Sequence, residues 1–294
     1  MRRDDHPENR KCVLITGTST GIGRACAVYL ARKGFVVLAG ARKEADAPVV
    51  ETVGNQQICP IRIDVTDAAS IAAAAQRVRE VVGEAGLCGL VNNAGVGVLG
   101  PIEFVPIEGW RKQFEVNVFG QVMVTQAMLP LLREHVARFG HGSARIINIT
   151  SIGGRLAQPI LGPYTASKFA MEAISDSLRL ELRRQGIRIC VIQPGAVQSE
   201  IWRKGQEQTS TFPPDSPARV LYGQVIDGVE ATARNAEKTA VPAEDVAKVV
   251  ETCLTKRRPR TRYLIGKDAK SAALAQSILP TTWFDGIMAK VMKI

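Results

Sequence analysis

The stretch CVLITGTSTGIG, residues 12–23, decides the fold. Residues 12–16 are a continuous apolar run, as expected of a strand covered on both faces. A glycine-rich turn follows, and an amphipathic stretch, 22–33, opens where the glycines end. Glycines allow a tight turn and a close approach of backbone to ligand. The start of the helix presents unpaired N–H groups and the positive end of its dipole, which suits a pyrophosphate. A glycine-rich strand-to-helix turn with no ligand is the plainer alternative; its place in the first βαβ unit favours the phosphate reading.

Working outward, short apolar runs at 35–39, 58–63, 90–92, 145–150 and 187–193 read as further buried strands. Between them lie helical stretches at 68–82, 110–138 (with Pro130 as the expected kink) and 164–184. Strand and helix in alternation mean βαβ units with right-handed crossovers, an α/β fold. Gly34, Gly86 and Gly186 each follow a helix, where a C-terminal cap is wanted. After Gly195 the texture turns polar. Helices are expected at 218–235 and 242–256, a short strand near 262–265, and a tail, 271–294, with apolar residues at helical spacing.

Composition is that of a globular chain: 294 residues, 46% hydrophobic and 22% charged. The six cysteines are scattered, with no Cys-x-x-Cys pair, and there are three histidines, so no metal site is expected. Small buried thiols suit a reducing, cytoplasmic compartment. The polar start, 1–11, is followed by an apolar run too short for a signal h-region, and no run approaches the length of a membrane span. The net charge of +10 is partly a strip, Lys256, Arg257, Arg258, Arg260 and Arg262. With little aromatic interleaving, it does not point to nucleic acid.

Two further patterns carry chemistry. Tyr164 and Lys168 stand four apart on an expected helix, so phenol and ammonium share a face. An ammonium there is expected to draw the phenol's pKa down, and Ser151 upstream offers a hydroxyl to hold a substrate oxygen. At the tip of the second strand the chain reads AGARK, residues 39–43. An acid there would hold a ribose 2′-hydroxyl; the cation Arg42, with Lys43 beside it, favours a 2′-phosphate. The alternative is that Arg42 is a solvated loop charge.

Together these motifs resemble the short-chain dehydrogenase/reductase family over residues 12 to about 200. TGTSTGIG at 16–23 resembles its cofactor loop and NNAG at 92–95 its fourth-strand motif; Asn117, Ser151, Tyr164 and Lys168 match its tetrad, and Pro194-Gly195 its sixth-strand turn. The run SDSLRLELRRQGIRICVIQPGAV, 175–197, resembles the branch that handles retinols and hydroxysteroids. The resemblance implies a single-domain Rossmann fold, 12–270. Its doubly wound parallel sheet would have about seven strands, in the order 3-2-1-4-5-6-7, with helices on both faces. It also implies an NAD(P)-dependent oxidoreductase, for which the cation Arg42 in place of an acid favours NADP(H) over NAD(H).

Roles follow by resemblance. Tyr164 would be the general acid or base. Lys168 would tune it and hold the nicotinamide ribose, Ser151 would orient the substrate oxygen, and Asn117 would interrupt regular helix bonding and hold a relay water. Gly17, Ser19, Thr20, Gly21, Ile22 and Gly23 would cradle the phosphates, and Arg42 the 2′-phosphate. Asp64 and Val65 would face the adenine, with Asn92, Ala94 and Gly95 on the ribose side. Pro194, Gly195, Val197 and Ser199 would meet the nicotinamide. Thr20 stands where many NADP-preferring members carry a cation, which leaves the 2′-phosphate to Arg42 and Lys43.

A substrate lid is expected at about 199–240, where Trp202 and Phe212 are either apolar walls of the pocket or packing beneath the loop. The expected substrate is a small hydrophobic alcohol or ketone of retinoid, steroid or fatty-carbonyl type. The tail, 271–294, has three readings: closing the pocket, docking on a second subunit, or peripheral contact with a membrane, the last not favoured. Pairing of the long helices near 110–138 and 164–184 into a homodimer or homotetramer is implied by resemblance.

Overall fold

The computed structural model describes residues 11–48, 58–198, 212, 213 and 215–292. Seven strands are described: β1 (Cys12–Thr16), β2 (Val36–Ala41), β3 (Ile58–Arg62), β4 (Gly89–Asn92), β5 (Ala144–Ile149), β6 (Ile187–Pro194) and β7 (Arg262–Ile265). They form one sheet in the order β3-β2-β1-β4-β5-β6-β7, with every pairing parallel. This is the doubly wound arrangement expected.

The helices in chain order are α1 (Gly21–Arg32), α2 (Ala68–Val82), α3 (Ile107–Phe114), α4 (Gly120–Phe139), α5 (Gly162–Glu181), α6 (Pro217–Lys238), α7 (Ala243–Thr255), α8 (Lys267–Ile278) and α9 (Thr281–Met292). Alternate strand residues point to opposite faces. Val13 and Ile15 pack with Cys26, Ala27 and Leu30 of α1 and Val246, Ala247 and Val250 of α7. Leu14 and Leu90 face the other way, into Ala74 and Val78 of α2 and Val124, Met128 and Leu131 of α4. Both faces of the sheet are therefore core, which is why its strands read as unbroken apolar runs. Five of the cysteines, Cys12, Cys26, Cys88, Cys190 and Cys253, are buried, and Cys59 is half-buried.

Two sequence expectations change in detail. The single helix expected at 110–138 is α3 and α4 joined by a π-helical turn, Glu115–Phe119, with no break at Pro130, which lies within α4. The tail is two helices, α8 and α9, separated at Pro280, which cannot continue α8. Gly34, Gly86 and Gly186 all take positive φ, but Gly86 and Gly186 end short 3-10 turns that follow α2 and α5, and α2 itself ends at Gly83.

Candidate active site

The carboxyl ends of β1, β4, β5 and β6 bring the sequence-predicted residues to one edge of the sheet, the place where open α/β folds bind ligands. Gly17 has φ +69, and a Cβ there would lie 2.8 Å from the Ala94 Cα, so the loop after β1 and the loop after β4 touch through bare backbone. Asn93 ties them together: its Nδ2 donates to the carbonyls of Thr16 (2.9 Å) and Gly17 (3.0 Å). Thr16 Oγ1 accepts from the amides of Asn93 and Ala94, both at 3.0 Å. Gly23 is packed against the Gly17 carbonyl and the Asn93 amide, leaving no room for a side chain.

This loop fits a dinucleotide pyrophosphate. Thr20, the cap of α1, makes no side-chain capping bond, and the first turn holds no acid, so the N–H groups there are left for an anion. At the tip of β2, Arg42 is exposed and lies near enough to Asp64 to help hold its carboxyl below the usual range. The larger causes of that lowering are the amide and hydroxyl of Thr66, which donate to Asp64 Oδ1 at 3.0 and 2.7 Å. Asp64 thus also shapes its own turn. Val65 is buried beneath it.

Asn92 is placed differently from expectation. Its side chain is fully buried and donates to Thr125 Oγ1 and Asn148 Oδ1, both at 2.9 Å, so it braces the sheet against α4. Its neighbour Asn93, quoted in the same motif, is the one that organises the loop. Val197 is likewise buried and bridged to Val241. Ser199 and Trp202 lie outside the described residues. Phe212 stands against Gly100: a Cβ on that glycine would come 3.1 Å from its ring.

Ser151, Tyr164 and Lys168 are brought together. Tyr164 and Lys168 share one face of α5, with the amine 5.7 Å from the ring centroid. The Ser151 hydroxyl lies close enough to the Tyr164 phenol to favour its ionised form. Gly153 keeps the space between them small, since a Cβ there would sit 3.4 Å from both Ser151 Oγ and the Tyr164 ring. Ser151 Oγ also accepts from the Gly153 amide at 3.0 Å.

The electrostatics correct one expectation. Burial raises the Tyr164 phenol above its ordinary 10, with the Ser151 hydroxyl pulling the other way. The acidifying effect expected of Lys168 does not prevail. Its amine donates to the Ile149 carbonyl at 3.0 Å, and burial pushes its own pKa down to about 8, opposed by Glu172. Tyr164 is therefore a neutral phenol at neutral pH, a proton donor.

Asn117 sits in the π turn with its side chain fully engaged. Oδ1 accepts from the Val96 amide (2.8 Å), while Nδ2 donates to the Val96 carbonyl (3.0 Å) and Ser167 Oγ (3.2 Å). The interruption of helix bonding is as expected, but the amide is spent on the loop after β4, so a relay water would need a main-chain carbonyl.

Three residues escaped the sequence reading. Glu172 accepts from Thr150 Oγ1 at 2.6 Å and from Arg262 Nε at 2.9 Å, one turn beyond Lys168. Gln113 clasps Val96 and Val98 from α3. Asp268, on α8, accepts from the Ala196 amide at 2.8 Å and lies directly over Gly195, fixing the turn after β6. Only Glu172 had a signal, its spacing of four from Lys168. No group of three or more metal-ligating side chains occurs among the described residues.

A nucleotide-binding edge with a Ser-Tyr-Lys cluster at its centre defines a dinucleotide-dependent oxidoreductase, and residues 11–210 match the short chain dehydrogenase family. The chain belongs to the short-chain dehydrogenase/reductase family, and its relatives include retinol and hydroxysteroid dehydrogenases. It is 35% identical over 281 residues to the NADPH-dependent 3-dehydrocapnine reductase of Ornithobacterium rhinotracheale, covering 95% of this chain and 96% of that protein. It is 36% identical over 300 residues to human retinol dehydrogenase 5, covering 99% and 91%. Among solved structures, a short-chain dehydrogenase from Streptomyces avermitilis superposes with a TM-score of 0.73 at 26% identity, over 97% of this chain and 95% of that one.

Proposed function

We propose that this chain interconverts an apolar ketone and its alcohol with NADP(H), Tyr164 moving the proton. The observation that carries the reading is the buried Ser151–Tyr164–Lys168 cluster at the mouth of a loop fitted to a pyrophosphate. The 3-dehydrocapnine reductase relative is described as NADPH-dependent, which supports the choice of NADP(H).

Residues of the loop 17–23 would hold the pyrophosphate, Arg42 the 2′-phosphate and Lys168 the nicotinamide ribose. When bound, the nicotinamide supplies the hydride chemistry. Ser151 orients the carbonyl oxygen by hydrogen bonding. Tyr164, a neutral phenol, donates its proton to that oxygen in reduction and takes one back in oxidation. Lys168, cationic below about 8, stabilises the phenolate that forms. The apolar substrate class rests on relatives such as retinol dehydrogenase 5 and on the apolar wall that Phe212 makes beside Gly100.

Subunit pairing is proposed along α4 and α5. A groove of about 350 Å³ between them, lined by Val122, Leu129, Ile174 and Leu178 together with the polar Gln126 and Glu181, is the surface offered to a two-fold mate.

A panel of apolar alcohols and ketones with both nicotinamide cofactors, read at nicotinamide absorbance, tests the reading. Tyr164→Phe is expected to abolish turnover while leaving dinucleotide affinity nearly unchanged. A wild-type chain that binds dinucleotide but turns over nothing would instead be a sensor. Arg42→Ala should weaken NADP(H) binding about tenfold or more, the worth of a charge-assisted hydrogen bond, and leave NAD(H) unaffected.

A further inference from the structure

At the amino ends of β5, β6 and β7, the edge of the sheet away from the candidate active site, cationic side chains from separate parts of the chain meet at one cavity. It holds about 360 Å³, and three guanidinium groups and an imidazole line it: Arg179, Arg183, Arg188 and His141. His141 comes from the turn before β5, Arg179 and Arg183 from the end of α5 and the turn after it, and Arg188 from β6. No acid lines the cavity among the described residues. Cations at the end of a helix complement its dipole, which is the plain account of Arg179 and Arg183. It does not reach Arg188 or His141.

The backbone makes room for those two. The Gly142 amide donates to the Gly186 carbonyl at 2.8 Å, which ties the turn before β5 to the turn before β6. A Cβ on Gly142 would lie 2.7 Å from Arg188 Nε, and one on Gly186 would lie 3.0 Å from the His141 ring. The charge is also unbalanced. Arg183 and Arg188 make no ion pair among the described residues. Arg179 pairs with Asp176 at 2.8 Å, but the other oxygen of that acid is held by Arg262, also at 2.8 Å. Glu181, at the end of α5, lines the groove toward α4 instead. Close by, the buried Arg145 donates only to main-chain carbonyls, those of Gly142, Ala144, Cys253 and Lys256. Burial lowers its pKa, and the charge of Arg188 lowers it further.

We propose that this cavity binds the phosphate group of a small soluble phosphate ester. A carboxylate offers two oxygens and one charge, which a single guanidinium satisfies. A phosphate monoester offers three oxygens and a charge of about −1.5 to −2 at neutral pH, so it accepts from several guanidinium groups at once. Leu180 and Pro259 give the cavity an apolar wall for the organic part of the ester. The volume falls at the lower end of the range of about 300–1,000 Å³ usual for small-ligand sites. The cavity stands at the opposite edge of the sheet from the loop 17–23, so the proposal does not rest on the proposed activity.

The test is titration calorimetry of the full chain with phenyl phosphate at constant ionic strength. Expected is binding that Arg183→Glu, at an exposed position, weakens about tenfold or more with the melting temperature unchanged. Arg188→Gln should weaken it similarly. Arg184→Glu, an exposed neighbour that does not line the cavity, should leave it as it is. The proposal is overturned if the wild type gives no binding, or if Arg183→Glu binds like the wild type, because the ester would then sit elsewhere. It is equally overturned if Arg184→Glu weakens binding as much as Arg183→Glu, which would make the effect one of general surface charge. Benzoate binding as tightly as phenyl phosphate would remove the choice of phosphate. A short single-stranded oligonucleotide that binds more tightly than the ester, and is weakened by Arg183→Glu, would give the surface to nucleic acid instead.

Discussion

At the scale of single residues, the site is tuned by one carboxylate the family motif does not include. Glu172 opposes the burial that pushes Lys168 down to about 8. Lys168 is cationic below that value and neutral above it, so kcat/KM for carbonyl reduction should fall as pH rises through about 8. Glu172→Gln removes the charge that favours the ammonium, so the fall should begin at lower pH. A pH profile of both proteins checks this, and superimposable profiles would refute it. Tyr164, Lys168 and Ser151 were legible because each belongs to a motif with fixed spacing. The sign of the Tyr164 shift was not. Spacing places an amine beside a phenol but says nothing of how deeply both are buried, and here burial prevails. Asn92 and Asn93 teach the same lesson, because the pleat sends neighbouring side chains to opposite sides and only coordinates say which one meets the loop.

At the scale of elements, the strands were found within a residue or two because both faces of the sheet are core. The join between α3 and α4 was not, since a π turn changes no residue's polarity. The tie between α8 and the turn after β6 was hidden too, because Asp268 lies far along the chain from Ala196. Asp268→Ala should loosen that turn and raise the KM for dinucleotide severalfold. The loss of stability should be only about 0.5–1.5 kcal/mol, the usual net worth of one hydrogen bond. Dinucleotide titration beside thermal melting separates the two effects; equal KM values would remove Asp268 from any positioning role.

At the scale of the whole molecule, the outer strand β7 is held by charge as well as by its ladder. Arg262 donates to Glu172 at 2.9 Å and to Asp176 at 2.8 Å, which joins the last strand to α5 and, through Glu172, to the neighbourhood of Lys168. The strip of cations noted in the sequence thus divides, with Arg262 turned inward to acids while Lys256, Arg257 and Arg258 stay exposed. The sequence marked the strip but not this division, because which cation lies beside an acid of α5 is fixed by the register of β7 on β6.

The distribution of sulfur makes the chain its own stopwatch. With five thiols sealed in the core and Cys59 at its margin, a colourless-to-yellow disulfide reagent should react promptly with at most one sulfur per folded chain. The other five should be released only as fast as the sheet comes apart. The slow phase of such a reaction therefore times global opening in a test tube, without heat or denaturant, and bound dinucleotide should lengthen it.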